Sequence, residues 1–354
     1  MDDQAIERRE RSAFALDAVG QRAKAVAKAA WWGAAGGLAR AITQPTRGEA
    51  ARSFQPEGPP VSTARLRQVY LEAFEKDARD VAEGLYPAVE DAPTRPVKSL
   101  LGALDFLVDA RAVDQRRRRG DGVEIRSKAE TEAYPNYYRQ NFHYQSGGWF
   151  TAESARRYDA QVEALFAGTA GAMRRRGLSL LARHWRGLDH RDLRIVDAAC
   201  GAGAFLRDLK AAFPRAALAG LDLSPAYLAR ARRHAGVGGV QANIETLPFA
   251  DGSLDAVSCV YLFHELPPRV RPVVAASIAR VLKPGGVLVF VDSVQPTDEP
   301  DLARLLAAFP AYFHEPYYST YAQTDLAALF SGAGLRLISE DRAFLTKAML
   351  LQKA

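Results

Sequence analysis

Arg194-Ile195-Val196-Asp197-Ala198-Ala199-Cys200-Gly201-Ala202-Gly203-Ala204-Phe205-Leu206 is the stretch around which the rest of the chain is arranged. Ile195 and Val196 open a short apolar, β-branched run that reads as a buried strand. Glycines follow at once, and then Phe205, Leu206 and Leu209 recur at helical spacing. A strand, a tight turn and a helix thus succeed one another, with an acid near the strand's end. Open α/β sheets bind ligands at the carboxyl ends of their strands. Gly201 and Gly203 remove the Cβ atoms that would hold a ligand away from the backbone. A dinucleotide fingerprint would need G-x-G-x-x-G, but its third glycine position is Leu206, and no G-x-x-x-x-G-K-[ST] phosphate loop occurs. An acid ahead of the turn suits a cationic ligand.

Downstream, Gly220-Leu221-Asp222-Leu223-Ser224-Pro225 ends a second strand and starts a helix over 225–235. An acid at that tip can accept hydrogen bonds from both hydroxyls of a ribose, a device shared with dinucleotide enzymes. A third strand follows, with Val240-Gln241-Ala242-Asn243-Ile244-Glu245-Thr246-Leu247-Pro248-Phe249 after it. Strand four, over 256–260, runs into Tyr261-Leu262-Phe263-His264-Glu265-Leu266-Pro267-Pro268. Read as a strand end, His264 and Glu265 face opposite ways, so one of them meets a pocket. His264 is the candidate general base, since imidazole titrates near neutral pH. A helix over 269–282, the turn Lys283-Pro284-Gly285-Gly286 and a fifth strand over 287–291 ending at Asp292 come next. The connection 293–323 exceeds a simple crossover and is rich in aromatics, which argues for a pocket wall rather than disorder. A helix over 324–333 and strands over 335–339 and 343–351 close the chain.

These motifs, in this order and at these intervals, resemble those of the class I S-adenosylmethionine (SAM) methyltransferases, of the ubiquinone-type or "type 11" small-molecule group. That family's first motif is often D-x-G-x-G-x-G; Ala199 stands where its first glycine would be. The resemblance covers about residues 190–354 and, more loosely, 134–190. It implies an α/β fold, a Rossmann-like seven-stranded sheet with an antiparallel last strand and helices on both faces. It implies SAM as cofactor, held by Asp197, Ala199, Gly201, Gly203, Asp222, Leu223, Asn243, Ile244 and Tyr261. His264 and Glu265 are then the catalytic candidates, and a small-molecule acceptor is methylated at O, N or C by in-line displacement, most of the catalysis coming from alignment. The aromatic segment 134–150 and the connection 293–323 become walls over the site, with Tyr137, Tyr138, His143, His314, Tyr317 and Tyr318 on the acceptor. No metal constellation is visible in the sequence. A dinucleotide-dependent oxidoreductase remains an alternative, as does a non-catalytic SAM-fold protein resting on a membrane.

The chain has 354 residues, enough for one large or two unequal domains. Composition suggests four regions: a basic arm and linker over 1–60, helices over 61–133, the aromatic lid and further helices over 134–190, and the SAM-binding unit over 191–354. The net charge of +6 is concentrated before residue 191, where 30 Lys and Arg face 25 Asp and Glu. That balance, and the lack of an N-P-P-Y motif, argue against nucleic-acid methylation. Two cysteines in apolar runs imply no disulfide framework, and the expected setting is the cytoplasm. Residues 4–30 read as a basic amphipathic helix that Trp31 and Trp32 could bring to a membrane surface. Prolines and glycines over 43–61 mark a linker, and Ser62 should cap a helix. Another helix is expected over 97–108, and Arg116 to Arg119 as an exposed, solvated loop. One helix is expected over 151–176 and a second over 178–188.

Overall fold

The computed structural model describes residues 57–88, 112–127 and 133–354, with Ala30, Ala34, Phe54 and Gln55 besides. Apart from Ala30, the expected helix over 4–30 lies outside the described residues, as does the one over 97–108.

Strands β1 (Arg194–Ala198), β2 (Ala217–Asp222), β3 (Gly239–Gln241), β4 (Leu254–Val260), β5 (Leu282–Ser293), β6 (Leu335–Ala343) and β7 (Thr346–Lys353) form one sheet. Their order is β3-β2-β1-β4-β5-β7-β6. β1 to β5 run parallel, and β7 enters antiparallel between β5 and β6. The unbroken apolar run Val287–Val291 is buried throughout, as a parallel strand covered on both faces requires. On one face, α6 (Arg271–Val281) and α8 (Leu326–Gly332) pack through Val274, Ile278 and Phe330 onto Val257 and Phe290. On the other face, α3 (Ala170–His184) and α4 (Ala204–Ala212) pack through Leu178, Leu181 and Leu209 onto Ile195 and Val289. β6 is longer than the sequence indicated, running on past its polar residues to Ala343 with a register shift after Leu337, and β7 begins and ends later than expected, at Thr346 and Lys353.

The helices before the sheet differ from expectation. α2 (Ala152–Leu165) and α3 replace one long helix followed by a short one. The break falls at Ala167 and Gly168, both in left-handed backbone at φ 48° and 88°. Gly177, which resembled a boundary, sits inside α3, where a Cβ would come within 2.4 Å of Val291 Cγ2; it is there for close packing on the sheet. α1 (Thr63–Ala82) starts as expected, with Ser62 Oγ accepting from the Arg65 amide at 3.1 Å.

The basic excess of the first half is also not simply solvated. Arg175 and Arg176 of α3 are buried and pair with Asp77 and Asp80 of α1 at 2.7 and 2.8 Å. Arg116 to Arg119 close a helical turn instead of forming a loop. Arg118 pairs with Asp114 at 2.6 Å, and Arg116 Nε donates to the Tyr144 carbonyl at 2.8 Å, which anchors the aromatic segment. No helix among the described residues is long and apolar enough to cross a membrane.

Candidate functional site

At the carboxyl ends of β1, β2 and β4 lies a cavity floored by Gly201 and Asp222 and walled by Tyr137, Tyr138, Trp149 and Ile244. Nothing lies within 4 Å of where a Gly201 Cβ would stand, so its backbone is open to a ligand. Gly203 has another task. A Cβ there would meet Ala231 of α5 (Pro225–Ala235) at 2.7 Å, so this glycine lets α4 and α5 pack and does not line the cavity. Ala199 does line it, in left-handed backbone at φ 58°, a conformation that favours glycine.

Asp222 is fixed before any ligand arrives. Its Oδ2 accepts from the Gly201 amide and its Oδ1 from the Ser224 amide, both at 2.8 Å. Burial lifts its carboxyl to about 6, against the pull of those backbone amides. Each oxygen keeps a further lone pair for a hydroxyl donor. Asp197 lies deeper than the lining. Its Oδ1 accepts from Ser258 Oγ at 2.6 Å, its Oδ2 has no partner, and burial lifts it to about 7. Leu223, Asn243 and Tyr261 line the cavity. The Asn243 amide, however, is engaged locally, accepting from the Glu245 amide and donating to the Glu245 carboxylate, both at 3.0 Å. Tyr137 donates to the same carboxylate at 2.6 Å, while the buried Tyr138 hydroxyl has no partner. A polar ligand with an adenine-sized flat face and a vicinal diol therefore fits: orphaned polar atoms, an open glycine and aromatic walls converge on one cleft.

A second, larger cavity of about 300 Å³ adjoins the first. It is mostly apolar, with Val162 and Leu165 of α2, Met173 of α3, and Leu306 and Phe309 of α7 (Ala303–Tyr312) on its walls. Tyr158, Tyr261 and Glu265 belong to both cavities. His264 and His143 face the second.

His264 and Glu265 do not end a strand. They sit in a 3-10 turn, Phe263–Glu265, and both reach a cavity wall instead of alternating. The turn is held by Asp292 at the end of β5, which accepts from the Phe263 amide at 2.8 Å and pairs with His264 Nδ1 at 2.6 Å. Arg271 staples it from the other side, donating to the Phe263 carbonyl at 3.0 Å and to the Tyr317 carbonyl at 2.9 Å. Burial alone would lower the His264 imidazole, but Asp292 outweighs it and lifts it to about 10. The ring is therefore a cation at neutral pH. His143 goes the other way, pushed down to about 3 by burial and by the positive field of His264. Burial lifts the Glu315 carboxyl to about 8, and that of Glu265 well above its usual range.

Of the six expected acceptor contacts, His143 and Tyr318 line the second cavity. Tyr137 and Tyr138 line the first. His314 and Tyr317 line neither. They tie the two aromatic segments together through Gln140, whose Oε1 lies 2.8 Å from His314 Nε2 and whose Nε2 donates to Tyr317 Oη at 3.2 Å. Sequence reasoning missed Trp149, Asp292 and Glu315 as site residues. For Asp292 a signal existed, an acid at the carboxyl end of a central strand.

The family described as "Methyltransferase domain" matches residues 195–286. An uncharacterized methyltransferase of Synechocystis sp. is 32% identical over 146 residues, 41% of this chain and 68% of that protein. A demethylmenaquinone methyltransferase of Thermus thermophilus is 34% identical over 150 residues, 41% of this chain and 64% of the relative. A fatty-acid O-methyltransferase of Mycolicibacterium smegmatis is 36% identical over 120 residues, 33% of this chain and 43% of the relative. The last two are thus matched over less than two thirds of their length. The matched family residues contain the β1 turn, Asp222 and the turn after β4, the same features that build the first cavity, and the chain belongs to the class I SAM-dependent methyltransferases.

Proposed function

We propose that the chain methylates a mainly apolar small molecule at, or beside, one ionisable oxygen, a hydroxylated quinone precursor or a fatty acid being suitable in kind. The observation that carries this reading is the apolar cavity joined to the first through Tyr158, Tyr261 and Glu265. The demethylmenaquinone and fatty-acid relatives act on molecules of that character, which supports it. A nucleic acid would need a basic, open groove, and the cavity is mostly apolar. Two free, buried cysteines support a cytoplasmic setting.

SAM, when bound, would supply a methyl group on a sulfonium, a leaving group whose S–CH₃ bonding pair would stay on sulfur as the acceptor's bond formed. The chain's part is alignment and charge. Asp222 and Ile244 both line the first cavity, where Asp222 would hold the ribose and Ile244 would lie beside the base. Tyr158 and Tyr261 form the shared wall that keeps water from the line of transfer. The His264 imidazolium, turned by Asp292, stabilises an acceptor oxygen that has lost its proton to solvent.

The test is an assay of S-adenosylhomocysteine release with labelled SAM and a panel of hydroxylated quinones, fatty acids, amines and tRNA. Turnover is expected with apolar oxygen acids. Phe309→Asp should abolish it while leaving the SAM dissociation constant, measured by calorimetry, within about twofold of the original. Turnover with tRNA or polar amines alone, or an indifferent Phe309→Asp, would sink the reading.

A further inference from the structure

We infer that His143, Glu265 and Glu315 form a binding site for one divalent first-row transition ion at the junction of the two cavities. One donor atom from each residue lies within 4.8 Å of the other two. Ligands about 2.0–2.2 Å from a common ion lie within roughly 4.4 Å of one another, so shifts of a few tenths of an ångström complete the shell. The three residues come from separate parts of the chain: the aromatic segment, the turn after β4, and the connection after α7.

Glu315 supplies the observation that points to a cation. Its side chain is fully buried, at 0% exposure, and neither carboxylate oxygen accepts a hydrogen bond. His143 Nε2 approaches Oε1 at 3.0 Å, and His143 Nδ1 is itself without a partner. Buried carboxylates are ordinarily satisfied by several donors. Asp292 already takes the nearby His264 cation, and no ion pair among the described residues joins Glu265 to a cation. Buried carboxylate oxygens that accept no hydrogen bond, beside an imidazole and a second carboxylate, are what a metal ion completes.

The donor set selects the ion. One imidazole and two carboxylates, with no thiolate, suit Mn²⁺, Fe²⁺ or Zn²⁺ and not a soft monovalent ion. Three protein ligands leave positions open, and His143 and Glu265 face the acceptor cavity. There the ion would hold the acceptor's oxygen. That role rests on the function proposed above; the existence of the site does not.

The full-length protein, stripped with chelator and dialysed against Mn²⁺ or Zn²⁺, is expected to retain one equivalent per chain by elemental analysis. Glu315→Gln should bind that ion at least tenfold more weakly, and Asp222→Asn as well as the original. Circular dichroism and the thermal unfolding midpoint, both in metal-free buffer, report whether each variant is folded; if Glu315→Gln fails this check, His143→Ala takes its place. Metal retained equally by the folded variants, or less than half an equivalent in the original, overturns the site. A chain that binds no metal yet methylates apolar oxygen acids would overturn the site and leave the proposed function intact. A chain that binds one equivalent and transfers no methyl group would do the reverse.

Discussion

Asp222 spends two of its lone pairs on backbone amides and turns the others toward the cavity. Ionised, it accepts from a ribose diol; protonated, it gives up part of that capacity. Burial holds its carboxyl near 6 in the free protein, so SAM affinity should be flat above pH 7. Below pH 6 it should fall by up to tenfold per unit, because binding must then drive off a proton. Asp222→Asn should weaken SAM by about 10–100-fold at pH 7.5, from a lost charge-assisted hydrogen bond, and should abolish the decline between pH 7 and 5. Calorimetry across that range checks both; an unchanged pH slope in the variant would exonerate Asp222. At this scale the sequence was readable where a residue's task is local. Asp222 and Gly201 stand where their spacing put them. Gly203 was misread because its neighbour, Ala231, is 28 positions away, and a glycine spared for packing looks the same in sequence as one spared for a ligand. Glu315 was unreadable for the same reason: nothing near it in sequence announces His143.

At the scale of elements, periodicity and caps located most of the sheet and its helices, since β1, β2, β4 and β5 are apolar runs bounded by acids or glycines. Two errors came from trusting local punctuation. Gly177 resembled a helix end, and the real break lies at Ala167 and Gly168, where the backbone turns left-handed. The Tyr261–Glu265 stretch resembled a strand end, yet Asp292 and Arg271 pull Phe263–Glu265 into a 3-10 turn. Both outcomes depend on partners supplied by other elements. Gly177 allows a quantitative test. Alanine in a helix interior gains about 1 kcal/mol over glycine. At this position its Cβ would stand 2.4 Å from Val291 Cγ2 and 2.8 Å from Val289 Cγ1, and overpacking against stiff β-branched neighbours costs about 1–3 kcal/mol. The second effect should win. Gly177→Ala is expected to lower stability by up to about 2 kcal/mol in urea denaturation, whereas a stabilised variant would show that α3 moves away from the sheet without cost.

Across the whole molecule, the region before the sheet is welded to it by charge. Asp80 is 2% exposed, accepts from Arg183 at 2.7 Å and is ion-paired with Arg176 at 2.8 Å, with Tyr86 against both Asp80 and Arg176. Arg176, 1% exposed, also reaches Asp341 of β6 at 3.3 Å. α1, α3 and the sheet edge thus share one ionic cluster. Composition gave no sign of this cluster, because a sequence carries no record of which charges are paired. Breaking a buried pair leaves its partner's charge stranded, at a cost of about 3–5 kcal/mol, whereas replacing both partners by apolar groups of similar size is often neutral. Asp80→Ala should therefore destabilise the chain by several kcal/mol and open the junction between α1 and α3 to protease. Asp80→Leu combined with Arg176→Met should recover most of that loss, because Asp77 keeps Arg175 and Asp341 keeps Lys76. Limited proteolysis and denaturation of the three proteins decide the matter. If the double variant is as weak as the single one, the cluster acts through Arg176's remaining contacts. If Asp80→Ala is as stable as the original, α1 is attached to the sheet by its apolar face alone.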